Sequence, residues 1–260
     1  MPRTSSLAPL TPGRICLVAC YLGPLPRYAG LCLRTAARNS NVDFLVVGDA
    51  LPDEPPAQNV RFRKEAREAI GRRFAGRLGF EVPISGRKLC DLKPTYGEVF
   101  ADLLGGYDFW GFMDLDLVWG RVADFWADRL LDGNDILATR EDHLTGHCTI
   151  LRNTADMNGL FREVPFHREL LSDPGHYGFD ETATHEDGGK RGGLEPLDFA
   201  WAAANGVRPR LFDAVLHRLA AGRVRLHMRH CINEDDPRAT RDMRLHWMGG
   251  RLTDERMGRG

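Results

Sequence analysis

Apolar residues along this chain come in short unbroken runs separated by amphipathic stretches, and the alternation predicts strands interleaved with helices. Ile15 to Cys20 is one such run, closed by Tyr21-Leu22-Gly23-Pro24, and reads as a buried strand ending in a loop. Pro26 then precedes a helix from about Arg27 to Arg38, with Tyr28, Leu31, Cys32 and Thr35 on one face. Asp43 to Val47 is a second strand, stopped by Gly48-Asp49. Strand, helix, strand in this order predicts a parallel sheet with a right-handed crossover. Ligands of such sheets bind beyond the carboxyl ends of the strands, so Tyr21 and Asp49 lie on the expected binding rim.

Leu51 to Asn59, rich in Pro and acid, reads as loop, Val60 to Arg63 as a third short strand, and Lys64 to Arg77 as an Arg-rich helix with a solvated face. A helix starting at Cys90 or Pro94 runs to Leu104 and is ended by Gly105-Gly106. It delivers the chain into Tyr107 to Gly120, YDFWGFMDLDLVWG. Beyond that stretch, Val122 to Leu131 has the pattern of an amphipathic helix, and Asp135 to Thr139 and His147 to Leu151 of strands. Asn153 or Thr154 caps a helix reaching about Val164. Ser172 to Gly193 is Gly-rich and charged, as functional or disordered loops are. Pro196 to Asn205 reads as helix, Arg223 to His230 as an alternating strand and Met243 to Trp247 as a last short strand. No repeat or linker interrupts this order, and one domain over 1–260, with 1–13 flexible, is expected.

The central stretch ends on two carboxylates, Asp114 and Asp116, one residue apart. In an extended segment such residues project to the same side. At an effective dielectric of 20 and a separation of about 6–7 Å they repel by roughly 2–3 kcal/mol, and a divalent cation turns that repulsion into attraction. Mg or Mn is commonly held by one or two carboxylates together with substrate phosphates. The pair also reads, without function, as a polar turn capping the helix near Val122.

With 260 residues, 43% of them hydrophobic, and a net charge of −1, the chain is long enough for a large core and carries no overall basic field for nucleic acid. The first fourteen residues lack the apolar segment of a signal peptide, and no run could span a bilayer. A cytoplasmic protein is expected, with room for a peripheral membrane contact. Six scattered cysteines lack disulfide or zinc spacing and read as reduced core residues. His227 and His230 would point to opposite faces of their strand, which argues against zinc. Only four basic residues are lysines, and Lys88 and Lys93 fall just upstream of the acid pair, where a compact ammonium is called for.

Seven segments in order, YLGPLPRY (21–28), DFLVVGD (43–49), KLCDLKPTYGEVF (88–100), the central stretch, GHCTILRN (146–153), GFDE (178–181) and LHWMGGR (245–251), resemble the GT-A class of nucleotide-sugar-dependent glycosyltransferases. The resemblance is closest to little-characterised bacterial proteins associated with surface polysaccharide synthesis. It implies a GT-A-like three-layer α/β/α fold around a mixed, mainly parallel sheet, with a Rossmann-like nucleotide-binding half. A donor half would occupy about 14–120 and an acceptor half about 121–260. It also implies a hexosyl transfer from a nucleotide-diphosphate sugar to a sugar or other hydroxyl acceptor, with Mn or Mg as cofactor. Asp116 would bind the metal directly, Asp114 through water or by holding the ribose, and His246 would return as a further ligand. Lys88 and Lys93 would face the diphosphate, and Tyr21 and Asp49 the base and ribose. Asp180, or Glu181 beside it, would serve as general base if the reaction inverts configuration. Arg152 and Asn153 would help to bind sugar or phosphate, and His143, His147, His176 and His185 surround the acceptor region without a role.

Two other readings stay open. Haloacid-dehalogenase-like phosphatases also place an Asp-x-Asp after a buried strand, but on the first strand and with a small or hydroxyl residue after the second Asp, which DLDLV lacks. The third reading is a nucleotide-sugar-binding module without turnover, against which Asp180, Glu181 and His246 argue.

Overall fold

The computed structural model describes residues 11, 13–140, 144–180, 211–228, 245–248 and 251–254. Strand β1 (Ile15–Pro24) pairs in parallel with β2 (Asp43–Ala50) on one side and β4 (Phe109–Met113) on the other, and β3 (Val60–Lys64) extends the sheet beyond β2. Strand β6 (Cys148–Arg152) lies antiparallel between β4 and β5 (Ile136–Ala138), and β7 (Leu226–Met228) runs parallel to β5. The order is β3-β2-β1-β4-β6-β5-β7, with β6 alone running against the others. A separate antiparallel pair joins β8 (Leu245–Met248) to β9 (Arg251–Asp254). The fold is α/β around a mixed, mainly parallel sheet, as the resemblance implies; the order of apolar runs by itself predicts only the parallel part.

The runs are unbroken because the sheet is covered on both faces. Ile15, Leu17 and Ala19 pack into one core with Phe44, Val46, Phe109 and Met113. Their neighbours Cys16, Val18 and Cys20 pack into the other with Leu45, Val47, Trp110 and Phe112. Helix α1 (Ala29–Ala36) and α6 (Asp128–Gly133) cover the first face. The second carries α2 (Arg67–Leu78) and the helical run α3 (Lys88–Leu92), a 3₁₀ turn (Lys93–Thr95), α4 (Tyr96–Val99) and α5 (Ala101–Leu104). Gly97 is what lets α4 lie on the sheet, since a Cβ there would meet the Trp110 ring at 2.4 Å. Helices α7 (Ala155–Asn158), α8 (His167–Ser172) and α9 (Leu211–Ala220) add to this second layer. Among the described residues no helix is long and apolar enough to cross a membrane.

Several elements differ from expectation. β1 continues through Pro24, beyond the polar Tyr21 that marked its end in the sequence. The helix expected over Val122 to Leu131 is a 3₁₀ turn (Val122–Asp124) followed by α6. Asn39 explains the break: its side chain takes the Val122 N–H at 2.9 Å and donates to Gly120 O at 2.9 Å, while Trp119 and Trp126 sink into the core. On α1, Cys32 and Thr35 are buried but Tyr28 and Leu31 are exposed, because Ala29, Leu33 and Ala36 face the sheet instead. Thr154 is the cap of α7, accepting from Met157 N at 3.3 Å, and a 3₁₀ turn (Leu160–Glu163) follows. The helix expected over Pro196 to Asn205 and most of the Gly-rich loop after Asp180 lie outside the described residues.

Candidate active site

After β1 the chain builds β2 and β3 to one side, then returns to place β4 on the other. Where strand order reverses in this way, a crevice forms beyond the carboxyl ends of the two diverging strands. Asp114 is the first residue past β4, and its N–H donates to His147 O at 3.0 Å, carrying the ladder one step beyond the strand. The chain then bends at Leu115 and Asp116. Leu115 turns into the core, Asp114 is half-buried and Asp116 is exposed, so both carboxylates lie on the outer side of the rim. Among the described residues Asp116 takes no hydrogen bond or ion pair. The Tyr28 hydroxyl is held above its usual range by desolvation, by Tyr21 and by the charges of Asp116 and Asp114.

Behind the acid pair stands Lys93. Its Nζ lies 2.7 Å from Asp114 Oδ1 and donates to Gly146 O at 2.7 Å and Asp180 Oδ2 at 3.0 Å. The side chain is only 7% exposed. Burial pulls its pKa down, but the charges of Asp180 and Asp114 more than reverse that, and the ammonium stays charged. Its three N–H groups meet three acceptors within the fold, one of them Asp114.

Lys88 lies deeper still. It is fully buried, with Nζ bonded to Asp91 Oδ2 at 3.1 Å, Leu170 O at 2.5 Å and Gly175 O at 2.9 Å, and it stands over the Tyr177 ring. Burial lowers its pKa, and Asp91 opposes the shift. Asp91, also fully buried, accepts from the backbone N–H groups of Tyr177 and Phe179, each at 3.0 Å. The pair thus ties the segment after α8 to α3 and delivers Asp180 to Lys93. The sequence reading missed Asp91, although an Asp three residues after a Lys on a helix is a recognisable pairing signal.

Asp180 is 2% exposed. Its carboxylate is enclosed and faces the Lys93 ammonium. Glu181 lies outside the described residues, as do His143, His185 and His230. His246 sits on β8 opposite Thr253, and its side chain is likewise outside them. Asp49 is on the expected rim, but Oδ1 accepts from Gly23 N at 2.5 Å and Oδ2 from Arg67 Nε at 3.3 Å, closing the end of β1 onto β2. Half-buried Tyr21 packs on the α1 side of the sheet. Arg152 and Asn153 are at the wrong end: β6 is antiparallel, so Arg152 pairs with Phe109 at the start of β4. There Arg152 binds Asp135 at 2.9 Å, and Asn153 donates to the carbonyls of Leu104 and Tyr107. The Cys90 thiol is pushed up to about 11, chiefly by burial with Lys93 opposing.

Among the described residues two sets of side chains could hold a cation. Asp91, His176 and Asp180 bring ligand atoms within 4.8 Å of one another. Both of these carboxylates already face ammonium groups, Lys88 and Lys93, which would repel an incoming ion. Asp114 and Asp116 fit better, since Asp116 is exposed and only one oxygen of Asp114 is turned to Lys93. Counted together, the carboxylates of 91, 114, 116 and 180 against the two lysines leave a charge of −2, which a divalent hard cation would neutralise.

A family model described as a family of unknown function (DUF6625) matches residues 17–207. Comparison with curated proteins finds no match. Among solved structures, the galactosyltransferase LgtC in complex with donor and acceptor sugar analogues is similar at 15% identity and a TM-score of 0.36, over 64% of this chain and 70% of that one. An active-site mutant of LgtC gives the same figures. The apo structure of the bifunctional glycosyltransferase WbbM follows at 14% identity and a TM-score of 0.34, over 62% of this chain and 35% of its own.

Proposed function

We propose, for a chain that belongs to the family of unknown function DUF6625, a metal-dependent glycosyl transfer from a nucleotide-diphosphate sugar to a hydroxyl acceptor. The observation that carries this reading is the acid pair directly after β4, at the reversal of strand order, with Asp114 braced from behind by Lys93. The seven ordered segments that resemble nucleotide-sugar-dependent glycosyltransferases support it.

In this reading Asp116 and the outer oxygen of Asp114 hold Mn or Mg. When bound, the ion offsets the negative charge that builds on the diphosphate as the sugar–phosphate bond breaks. Lys93 fixes the orientation of Asp114, and Asp180 fixes Lys93; both are positioning residues. Tyr28 and Tyr21 offer aromatic faces at the same rim for a nucleobase. If configuration inverts, Glu181 is the acceptor-side carboxylate left to take the hydroxyl proton. The contact of Lys93 with Asp180 joins the donor half to the acceptor half, which favours one domain. The sugar is a hexose and the product a polysaccharide or glycoconjugate, as the resemblance implies.

The test is thermal stabilisation by nucleotide diphosphates and nucleotide sugars, each with and without Mn, followed by donor turnover. A ligand at 100 times its dissociation constant adds about 2.7 kcal/mol. One nucleotide is expected to stabilise the protein only with Mn present, and Asp116→Ala to abolish both that shift and turnover while the metal-free melting temperature holds. Undiminished turnover by Asp116→Ala removes the reading, and Mn-independent release of phosphate from an aryl phosphate would favour a phosphatase.

A further inference from the structure

At the β3 edge of the sheet, β3 and α2 form an open groove of about 800 Å³. Between residues 60 and 77 the chain carries seven basic residues against two acidic ones, in a protein of net charge −1. Four arginines, Arg63, Arg72, Arg73 and Arg77, line the groove with Glu65 and Asp102 among them.

The arginines are not equivalent. Arg73 is 16% exposed and fully engaged, reaching Glu65 at 2.9 Å and Asp102 at 2.7 Å with its guanidinium over the Phe100 ring. It is part of the wall. Arg63 gives only Nε to Glu65 and is 52% exposed, which leaves both terminal amino groups outward. Arg77 reaches Asp102 through one amino group at 3.4 Å and is 46% exposed. Arg72 is exposed and, among the described residues, has no hydrogen bond or ion pair. Two positive charges are therefore uncompensated, on planar forks that match phosphate oxygens.

Gly76 is the second observation. It lies inside α2, where glycine weakens a helix relative to alanine. No neighbour forbids a side chain, since a Cβ would meet nothing within 4 Å. Its consequence is that the groove it lines stays open between the arginines. The volume exceeds what a bare ion needs and falls in the range of small-molecule sites.

We infer that this groove binds a phosphate-bearing ligand, whether a soluble polyphosphate or phosphate ester or the headgroup of an anionic phospholipid. The site shares no residue with the proposed transferase site and stands apart from that reading.

The test uses the full chain in EDTA, so that no metal bridges anions to Asp114 and Asp116. Titration calorimetry with inorganic pyrophosphate reads the soluble source, and co-sedimentation with phosphatidylglycerol or phosphatidylcholine vesicles reads the headgroup. Saturable binding of pyrophosphate, or selective binding of phosphatidylglycerol vesicles, is expected and names the source. Arg72→Glu with Arg77→Glu should weaken it at least tenfold, Gly76→Leu should do so without changing charge, and Arg72→Ala, which breaks no contact, at least threefold. Failure of both probes to bind overturns the proposal. So does binding that survives Gly76→Leu unchanged, which would mark diffuse surface charge in place of a groove.

Discussion

Replacing Asp91 with Ala tests whether a buried ion pair holds the segment that carries Asp180. Both members are fully buried, and Asp91 accepts three hydrogen bonds, from Lys88 Nζ at 3.1 Å and from Tyr177 N and Phe179 N at 3.0 Å. Removing one partner of such a pair costs about 3–5 kcal/mol, because the other charge stays buried. The two backbone N–H groups would each add about 1–3 kcal/mol if left unmade. Residues 173–179 can instead undock and hydrate, so the loss should stay near about 3–5 kcal/mol and not reach the sum. That is a large part of a typical domain stability of about 5–15 kcal/mol. Lys88→Met added to Asp91→Ala removes the orphaned ammonium, so the double variant should be more stable than Asp91→Ala alone. Urea unfolding followed by circular dichroism gives the free energies, and hydrogen exchange at the amides of 177 and 179 shows whether the segment has lifted. A loss below about 1 kcal/mol for Asp91→Ala, or a double variant less stable than the single one, would refute the reasoning.

Two further predictions concern stability. Gly97→Ala should lower the melting temperature: a Cβ at 2.4 Å from the Trp110 ring overpacks the core by about 1–3 kcal/mol, against a helix-propensity gain of about 1 kcal/mol. A raised melting temperature would show that Trp110 moves aside freely. Acid should unfold the protein in part through Glu163 and Asp135. The Glu163 carboxyl is held below its usual range by Arg218 with burial opposing; at Asp135 burial raises the pKa but Arg225 and Arg152 outweigh it. A depressed carboxylate contributes stability above its unfolded pKa of about 4 that is lost as pH falls through the folded value. Unfolding free energy should therefore drop below about pH 4.5, and Arg218→Met should make the drop shallower; identical slopes in the two proteins would exclude Glu163 from it.

What could be read from the sequence was whatever depends on local pattern. β1, β2 and β4 are unbroken apolar runs because both faces of the sheet are covered, and their ends place Tyr21, Asp49 and Asp114 on one rim. What could not be read depends on partners distant in the chain. Nothing local says that β6 runs backwards, and that reversal carries Arg152 and Asn153 to the opposite end of the sheet from Asp114. The two lysines make the same point more closely. Lys88 and Lys93 are five residues apart, which on a helix of 3.6 residues per turn turns them about 140° from each other. One side chain therefore passes under residues 170–177 and the other reaches the end of β4. Both look alike in sequence, yet neither ammonium is open to a ligand, since each has three acceptors inside the fold. The positive charge expected to face a diphosphate meets Asp91, Asp114 and Asp180 within the fold. That leaves exposed Asp116 as the rim carboxylate with the most freedom to meet a cation, and makes it the position where loss of function should separate most cleanly from loss of fold.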